Sequence, residues 1–214
     1  MAIIVIANTK GGVGKTTTAK NIADALRPDV VYDQDLHNGI RVLNQLRDAP
    51  ALYPVEHYDT SAALLNALRD ATSAGKNVLV DCGGFDSDIT RAAVAVADVV
   101  ICPCNDTPTD RIGLARFEMT LADISAKMGR PILVHALICK AHPSAKHFND
   151  LDGDIARMKH ITRMKSIIAN RPDHYRSHGE GLGVTERVAT RHTAAGQEVL
   201  AVVEEIRAIL AEKV

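Results

Sequence analysis

Residues 8–18 read NTKGGVGKTTT, and the rest of the chain is most easily ordered around them. They follow an apolar run, AIIVIAN at 2–8, and lead into a segment with helical spacing over 15–27. Glycines at 11, 12 and 14 let successive backbone N–H groups converge on one point, and a helix beginning there adds about half a positive charge. Such a loop suits phosphate: Lys15 is spaced to reach the β and γ phosphates, and Thr16 to ligate Mg²⁺. The stretch departs from the usual G-x-x-x-x-G-K-[ST] pattern at one place, where Thr9 stands for the first glycine, and it carries an additional lysine, Lys10.

Working outward, runs rich in Val and Ile recur at 2–8, 29–33, 77–82, 98–104 and 132–138. They are apolar throughout rather than alternating, as strands buried on both faces are. Helical patterns lie between them at 15–27, 60–74, 88–97, 110–129 and 195–212. Thr109 or Asp110 is read as an N-cap, and Gly75 and Gly129 as helix stops. Strand alternating with helix predicts an α/β fold, a three-layer, doubly wound and mostly parallel sheet. With 214 residues, 46% of them hydrophobic, we expect one domain spanning 1–214. The segment 140–192 is polar and reads as largely irregular; it holds six of the nine histidines.

Two further segments carry acids at strand ends. In YDQDLHNG, at 32–39, Asp33 and Asp35 stand two apart on one side of an extended segment, where paired carboxylates can hold Mg²⁺ through water and orient an attacking water. NVLVDCGG, at 77–84, ends an apolar strand in Asp81, the Walker B form, at the end of the sheet where α/β proteins bind ligands. Gly83 and Gly84 then complete a D-x-x-G turn that allows backbone to approach a γ-phosphate, or simply an αL turn before the next helix.

With these segments in place, the sequence resembles the deviant Walker A ATPases, the family of ParA- and ParF-like partition proteins, MinD and the nitrogenase iron protein. KGGVGKTT, at 10–17, matches their signature, and the match extends to about residue 138 and over the last helix. The resemblance implies the P-loop NTPase fold of the SIMIBI class, ATP or ADP with Mg²⁺ as ligands, and slow ATP hydrolysis. It implies phosphate contacts from Lys10, Gly11, Gly12, Val13, Gly14, Lys15, Thr16 and Thr17, and Mg²⁺ contacts from Thr16, Asp35 and Asp81. Lys10, Lys15 and Asp35 would be catalytic, Lys10 reaching the nucleotide of a partner subunit in an ATP-bound homodimer much as an arginine finger does. Where the family carries D-x-D-P-Q, this chain has Leu36 and His37 in place of Pro and Gln. Cys139 and Lys140, in the loop after the fifth run, would border the adenine.

The resemblance further implies a cytoplasmic, nucleoid-associated ATPase for plasmid or DNA segregation, of the short ParA form, binding DNA non-specifically and a centromere-binding adaptor. A MinD-like positioning ATPase on membranes, a metal-cluster carrier and a non-hydrolysing ATP-dependent dimerisation module are the rivals. Net charge is formally −1 and aromatic content 3% without Trp, so neither a global basic field nor a base-stacking platform is available. The local basic stripe RMKHITRMKSIIANR, at 157–171, is read as helical and can meet phosphates or simply face solvent. Cys82, Cys102, Cys104 and Cys139 lie in apolar runs, where reduced buried thiols are expected rather than cluster ligands. The histidines lack metal-binding spacing and are read as surface and loop residues. The last helix is acidic rather than basic, as a core-packing helix and not a membrane anchor would be.

Overall fold

The structure is a computed structural model that describes residues 1–48 and 50–212. The first half of the chain alternates β1 (Ile3–Ile6), α1 (Lys15–Leu26), β2 (Val30–Gln34), α2 (Gly39–Gln45), β3 (Val55–Glu56), α3 (Ser61–Ser73) and β4 (Val78–Cys82). It continues through α4 (Asp88–Val96), β5 (Val99–Cys104), α5 (Pro108–Met128) and β6 (Val134–Ala141). Last come α6 (Asn149–Ile155), β7 (Ile161–Ala169), α7 (Asp173–Arg176) and α8 (Ala194–Ala211). The strands form one seven-stranded sheet in the order β3-β2-β4-β1-β5-β6-β7, and every neighbouring pair is parallel.

The unbroken apolar runs have a direct cause. Along β1, Ile3 and Val5 face a core shared with α3, α4, α5 and α6, while Ile4 and Ile6 face a second core shared with α1, α2 and α8. Both faces are covered, so both side-chain sets must be apolar. This is the expected doubly wound α/β fold. β1 occupies the middle of the sheet, in register with β4 on one side and β5 on the other. The loops leaving β1, β2, β4 and β6 therefore emerge at one end of the sheet, where ligands of such folds bind.

Three local readings are corrected. The segment 157–171 is not a helix: Ile161–Ala169 is β7, the outermost strand on its side of the sheet. Its buried residues recur at uneven spacing because two register shifts interrupt the ladder with β6, and that spacing mimics a helix. The outer edge of β7 is closed by glutamates of α8: Glu205 accepts the backbone N–H groups of Lys165 and Ser166, and Glu198 accepts that of Ala169. Secondly, α5 is capped by Thr107, whose hydroxyl accepts the Asp110 N–H at 3.2 Å with Pro108 at the first helical position, so neither Thr109 nor Asp110 is the cap. Thirdly, β6 runs on to Ala141, so Cys139 and Lys140 belong to the strand and not to the loop after it.

The last helix packs as expected, with Val199, Val202, Val203 and Ile206 buried. No helix among the described residues is long and apolar enough to cross a membrane. Beneath α1 lies a buried polar cluster: Lys20 pairs with Asp24 at 2.8 Å, Asp24 also accepts from Tyr53 and the Gly183 N–H, and Arg47 holds Glu186 through two hydrogen bonds.

Two histidines also differ from the surface reading. His174 and His178 are buried, and His174 Nε2 meets Glu198 at 3.0 Å. Burial above all, then the charges of Lys20 and His174, holds the His178 imidazole down at about 4. Its ordinary value in the unfolded chain is about 6.5, so between these limits the unfolded chain binds the extra proton and stability falls as pH falls. Urea unfolding at pH 7 and pH 4.5 should show the native chain losing on the order of 2 kcal/mol more than a His178→Leu variant does.

Candidate functional site

β1 delivers the chain into the loop through Asn8, whose side chain is fixed at both ends. Its amide donates to the Pro103 carbonyl of β5 at 2.8 Å, and its carbonyl accepts the Lys10 N–H at 2.9 Å. Gly12 and Gly14 take left-handed backbone conformations, at φ 76° and 100°, which a Cβ would oppose. Gly14 is the N-cap residue of α1 and offers no side chain to it, so the first N–H groups of the helix stay free for an anion. Gly11, Gly12, Gly14, Lys15, Thr16 and Thr17 line a cavity of about 510 Å³. Val13 instead turns its side chain into the protein. Lys15 is mostly buried; its ammonium donates to the Lys10 carbonyl at 2.9 Å, and burial lowers its pKa against the pull of Asp81 and Asp35.

The acids divide into different tasks. Asp81 is completely buried and neither carboxylate oxygen has a hydrogen-bond partner. Burial first, then Asp33, pushes its carboxyl well above the usual range; Thr16, close by without bonding geometry, and Lys15 pull it back. An orphaned carboxylate beside a threonine and a second acid has the donor chemistry of a Mg²⁺ site. Asp35 lines the same cavity and accepts the His37 N–H at 2.9 Å. Asp33 does not join it. Its carboxylate accepts the backbone N–H groups of Ile40 and Arg41, closing the first turn of α2, so the expected pair is reduced to Asp35. The first turn of α2 is itself pressed on the loop: a Cβ on Gly39 would meet Thr16 Cγ2 at 2.7 Å.

Leu36 and His37, the departures from the family motif, are exposed on the cavity wall with Gly84 and Phe85. Gly84 is not in an αL turn; its value is proximity, since a Cβ there would lie 3.1 Å from Gly11 Cα and 3.2 Å from Lys15 Nζ. Lys10 lies outside its own cavity. Its stem runs over Gly113 of α5, where a Cβ would stand 3.0 Å from Lys10 Cδ, and its ammonium pairs with Asp110 at 2.5 Å and with the Thr109 hydroxyl at 3.2 Å.

A second cavity, of about 460 Å³, adjoins the first. The two share Gly14, Thr17 and Lys140, and the second continues between Cys139 of β6 and Asn170, His174 and Tyr175 beyond β7. Arg171 and His174 at this wall both bond Glu198.

A phosphate loop on the central strand of an all-parallel sheet, with a buried Walker B carboxylate beside it, agrees with the family comparison. Residues 4–212 match the CbiA family, the CobQ/CobB/MinD/ParA nucleotide binding domain. The chain belongs to the ParA/MinD family. The Protein ParA of Rhizobium radiobacter is 25% identical over 142 residues, 64% of either chain. The maintenance of carboxysome distribution protein A of Gloeobacter kilaueensis is 30% identical over 111 residues, 50% of this chain and 51% of the relative. The chain thus spans between half and two thirds of the curated relatives it matches. The fold is similar to that of the Pyrococcus horikoshii septum site-determining protein MinD complexed with Mg-ADP, at 14% identity and a TM-score of 0.73, covering all of this chain and 98% of the other.

One expectation for this ParA/MinD-family chain changes with the geometry. The basic stripe is largely neutralised: Arg157 bonds Asp154, Arg163 bonds Asp152 and Arg171 bonds Glu198. Cys82, Cys102 and Cys104 are, as expected, fully buried core thiols, and burial pushes all three up, Cys82 to about 12. Sequence reading named Gly84 but missed the partner of Lys10, since nothing local marks a contact 100 residues away. A Gly84→Ala variant should leave thermal unfolding near that of the native chain and weaken ATP binding roughly 10-fold or more, read by titration calorimetry.

Proposed function

We propose that the chain is a nucleotide-controlled switch ATPase that dimerises around two molecules of ATP with Mg²⁺ and positions a cargo in the cell, most simply plasmid or other DNA. The observation that carries this reading is the divergence of the two lysines. Lys15 stays inside its own cavity, while Lys10 leaves it and rests on Asp110 at the face beside it. A cation parked outside its own site is available to a neighbouring one.

In this reading the loop amides and Lys15 hold the β and γ phosphates, and Thr16, Asp81 and Asp35 would hold Mg²⁺, which would supply countercharge for the phosphates. The unpartnered Asp81 oxygens favour such an ion, since burial of an uncompensated carboxylate is costly. Asp35 orients the attacking water. Lys10 of one subunit neutralises charge developing on the partner's γ-phosphate, and exposed Leu36 and Phe85 at the cavity mouth provide apolar surface for the contact. The adenine occupies the second cavity, beside Cys139 and Lys140.

The names of the relatives, a ParA and a carboxysome distribution protein, support cargo positioning as the class. DNA as the surface on which the dimer travels, and a small adaptor that stimulates hydrolysis, complete the partition reading. Since Arg157, Arg163 and Arg171 are paired with acids, phosphate contacts would come from Lys159 and Lys165 of the stripe together with cations brought together in the dimer.

Light scattering should give a monomer with ADP and a dimer with ATP and Mg²⁺, and duplex DNA binding should require ATP and weaken steeply between 50 and 200 mM salt, as counterion release dictates on the order of 10³-fold. A Lys10→Ala variant should still bind ATP but lose dimerisation or roughly 10³-fold in turnover. Retention of both would remove the trans role, and ATP-independent DNA binding would remove the partition reading.

A further inference from the structure

Lys140 is the one lysine of the site whose backbone is strained. Its φ is 56°, in the left-handed region that side-chain-bearing residues avoid, and it sits where the β6 ladder slips between Cys139 and Ala141. The slip re-aims the side chain out of the strand and over the phosphate loop. Its ammonium donates to the Gly12 carbonyl at 2.6 Å, and its Cε lies 3.7 Å from where a Cβ on Gly14 would stand. Strain of this kind persists only where the surroundings enforce it, and it clusters at ligand sites.

Its place relative to the cavities is equally specific. Of the residues lining either cavity, Gly14, Thr17 and Lys140 line both. A linear ligand occupying both must pass these three. Thr17 and Gly14 belong to the start of α1, so Lys140 is the cation on the opposite wall of the passage. Of the neighbouring cations, Lys10 is committed to Asp110 and Arg171 to Glu198, and Lys15 lies within the phosphate cavity on the Lys10 carbonyl; Lys140, at the passage, forms no ion pair among the described residues and is held by a neutral carbonyl.

We infer that Lys140 is the α-phosphate cation of this site, released from the Gly12 carbonyl when a nucleotide threads from the base cavity into the phosphate cavity. This rests on the nucleotide reading above. In a nucleotide laid with its γ-phosphate toward Asp35 and Gly84 and its base toward Asn170, the passage falls at the α-phosphate. There an ammonium exchanges a neutral acceptor for an anionic one, a stronger hydrogen bond. Because ATP and ADP both carry that phosphate, the lysine strengthens both alike and leaves their ratio untouched, in contrast to the γ-phosphate task proposed for Lys10.

The test is calorimetric binding of ATP, ADP, GTP and inorganic tripolyphosphate to the native chain and to the Lys140→Met, Lys140→Arg and Lys140→Gly variants, each checked by thermal unfolding. Lys140→Met should weaken ATP and ADP by the same factor, about 10-fold, with Lys140→Arg restoring most of it. Lys140→Gly, which relaxes φ, should hold or raise the melting temperature and still lose the affinity, an outcome that a merely structural lysine would not give. Unchanged ADP binding in Lys140→Met overturns the inference. So does weakening confined to ATP, which would make it a γ-phosphate contact, or an altered ATP-to-GTP preference with tripolyphosphate unaffected, which would make it a base contact. A native chain that binds none of the four ligands sinks the nucleotide reading itself, and Lys140 with it.

Discussion

A carboxylate with no hydrogen bond and no exposure is an expensive group to keep, and Asp81 is such a group. It is the penultimate residue of β4, between β2 and β1, so its position is dictated by the centre of the sheet. On one flank Asp33 stands in register with it and is occupied by backbone N–H groups of α2. On the other, Ile6 is in register and leads into the loop that brings back Lys15 and Thr16. The Asp81 carboxylate is therefore left uncompensated by hydrogen bonds among the described residues. The surrounding devices, glycines that open the loop, a helix start without a side-chain cap and a largely buried lysine, all suit a cation and an anion together.

The same logic bears on the partners of the three lysines. Lys15 and Lys140 each donate to a carbonyl of the loop they would leave on binding phosphate, those of Lys10 and Gly12. Lys10 alone has a full countercharge, Asp110. Exchange of a carbonyl for a phosphate oxygen gains little resistance from the protein, whereas freeing Lys10 requires breaking an ion pair. The three cations thus differ in the charge of the partner each already has, a carbonyl for Lys15 and Lys140 and a carboxylate for Lys10.

Local chemistry was readable from the chain and distant chemistry was not. The loop, its flanking strand and helix, and the Walker B strand are contiguous patterns, and each stands where its spacing implies. Asp33 and Asp35 were placed on the correct segment, but spacing alone cannot tell a carboxylate that closes a helix turn from one that faces a cavity. β7 was misread because slips in its ladder give Ile161, Met164 and Ile168 a helix-like rhythm. Arg47 and Glu186, 139 residues apart, and Lys10 with Asp110 are products of the assembled sheet and leave no mark in either neighbourhood.

The glutamates along β7 have a further consequence. An open sheet invites another chain to continue it, and amyloid-like or edge-to-edge association begins at such unpaired backbone. Here one rim has the N–H groups of Lys165, Ser166 and Ala169 already taken by Glu205 and Glu198, and the opposite rim is β3, two residues long. Growth by strand addition is discouraged at either side. Backbone pairing is thereby blunted at both rims of the sheet, so any contact between copies of the chain would fall to side chains, where association is more readily reversed.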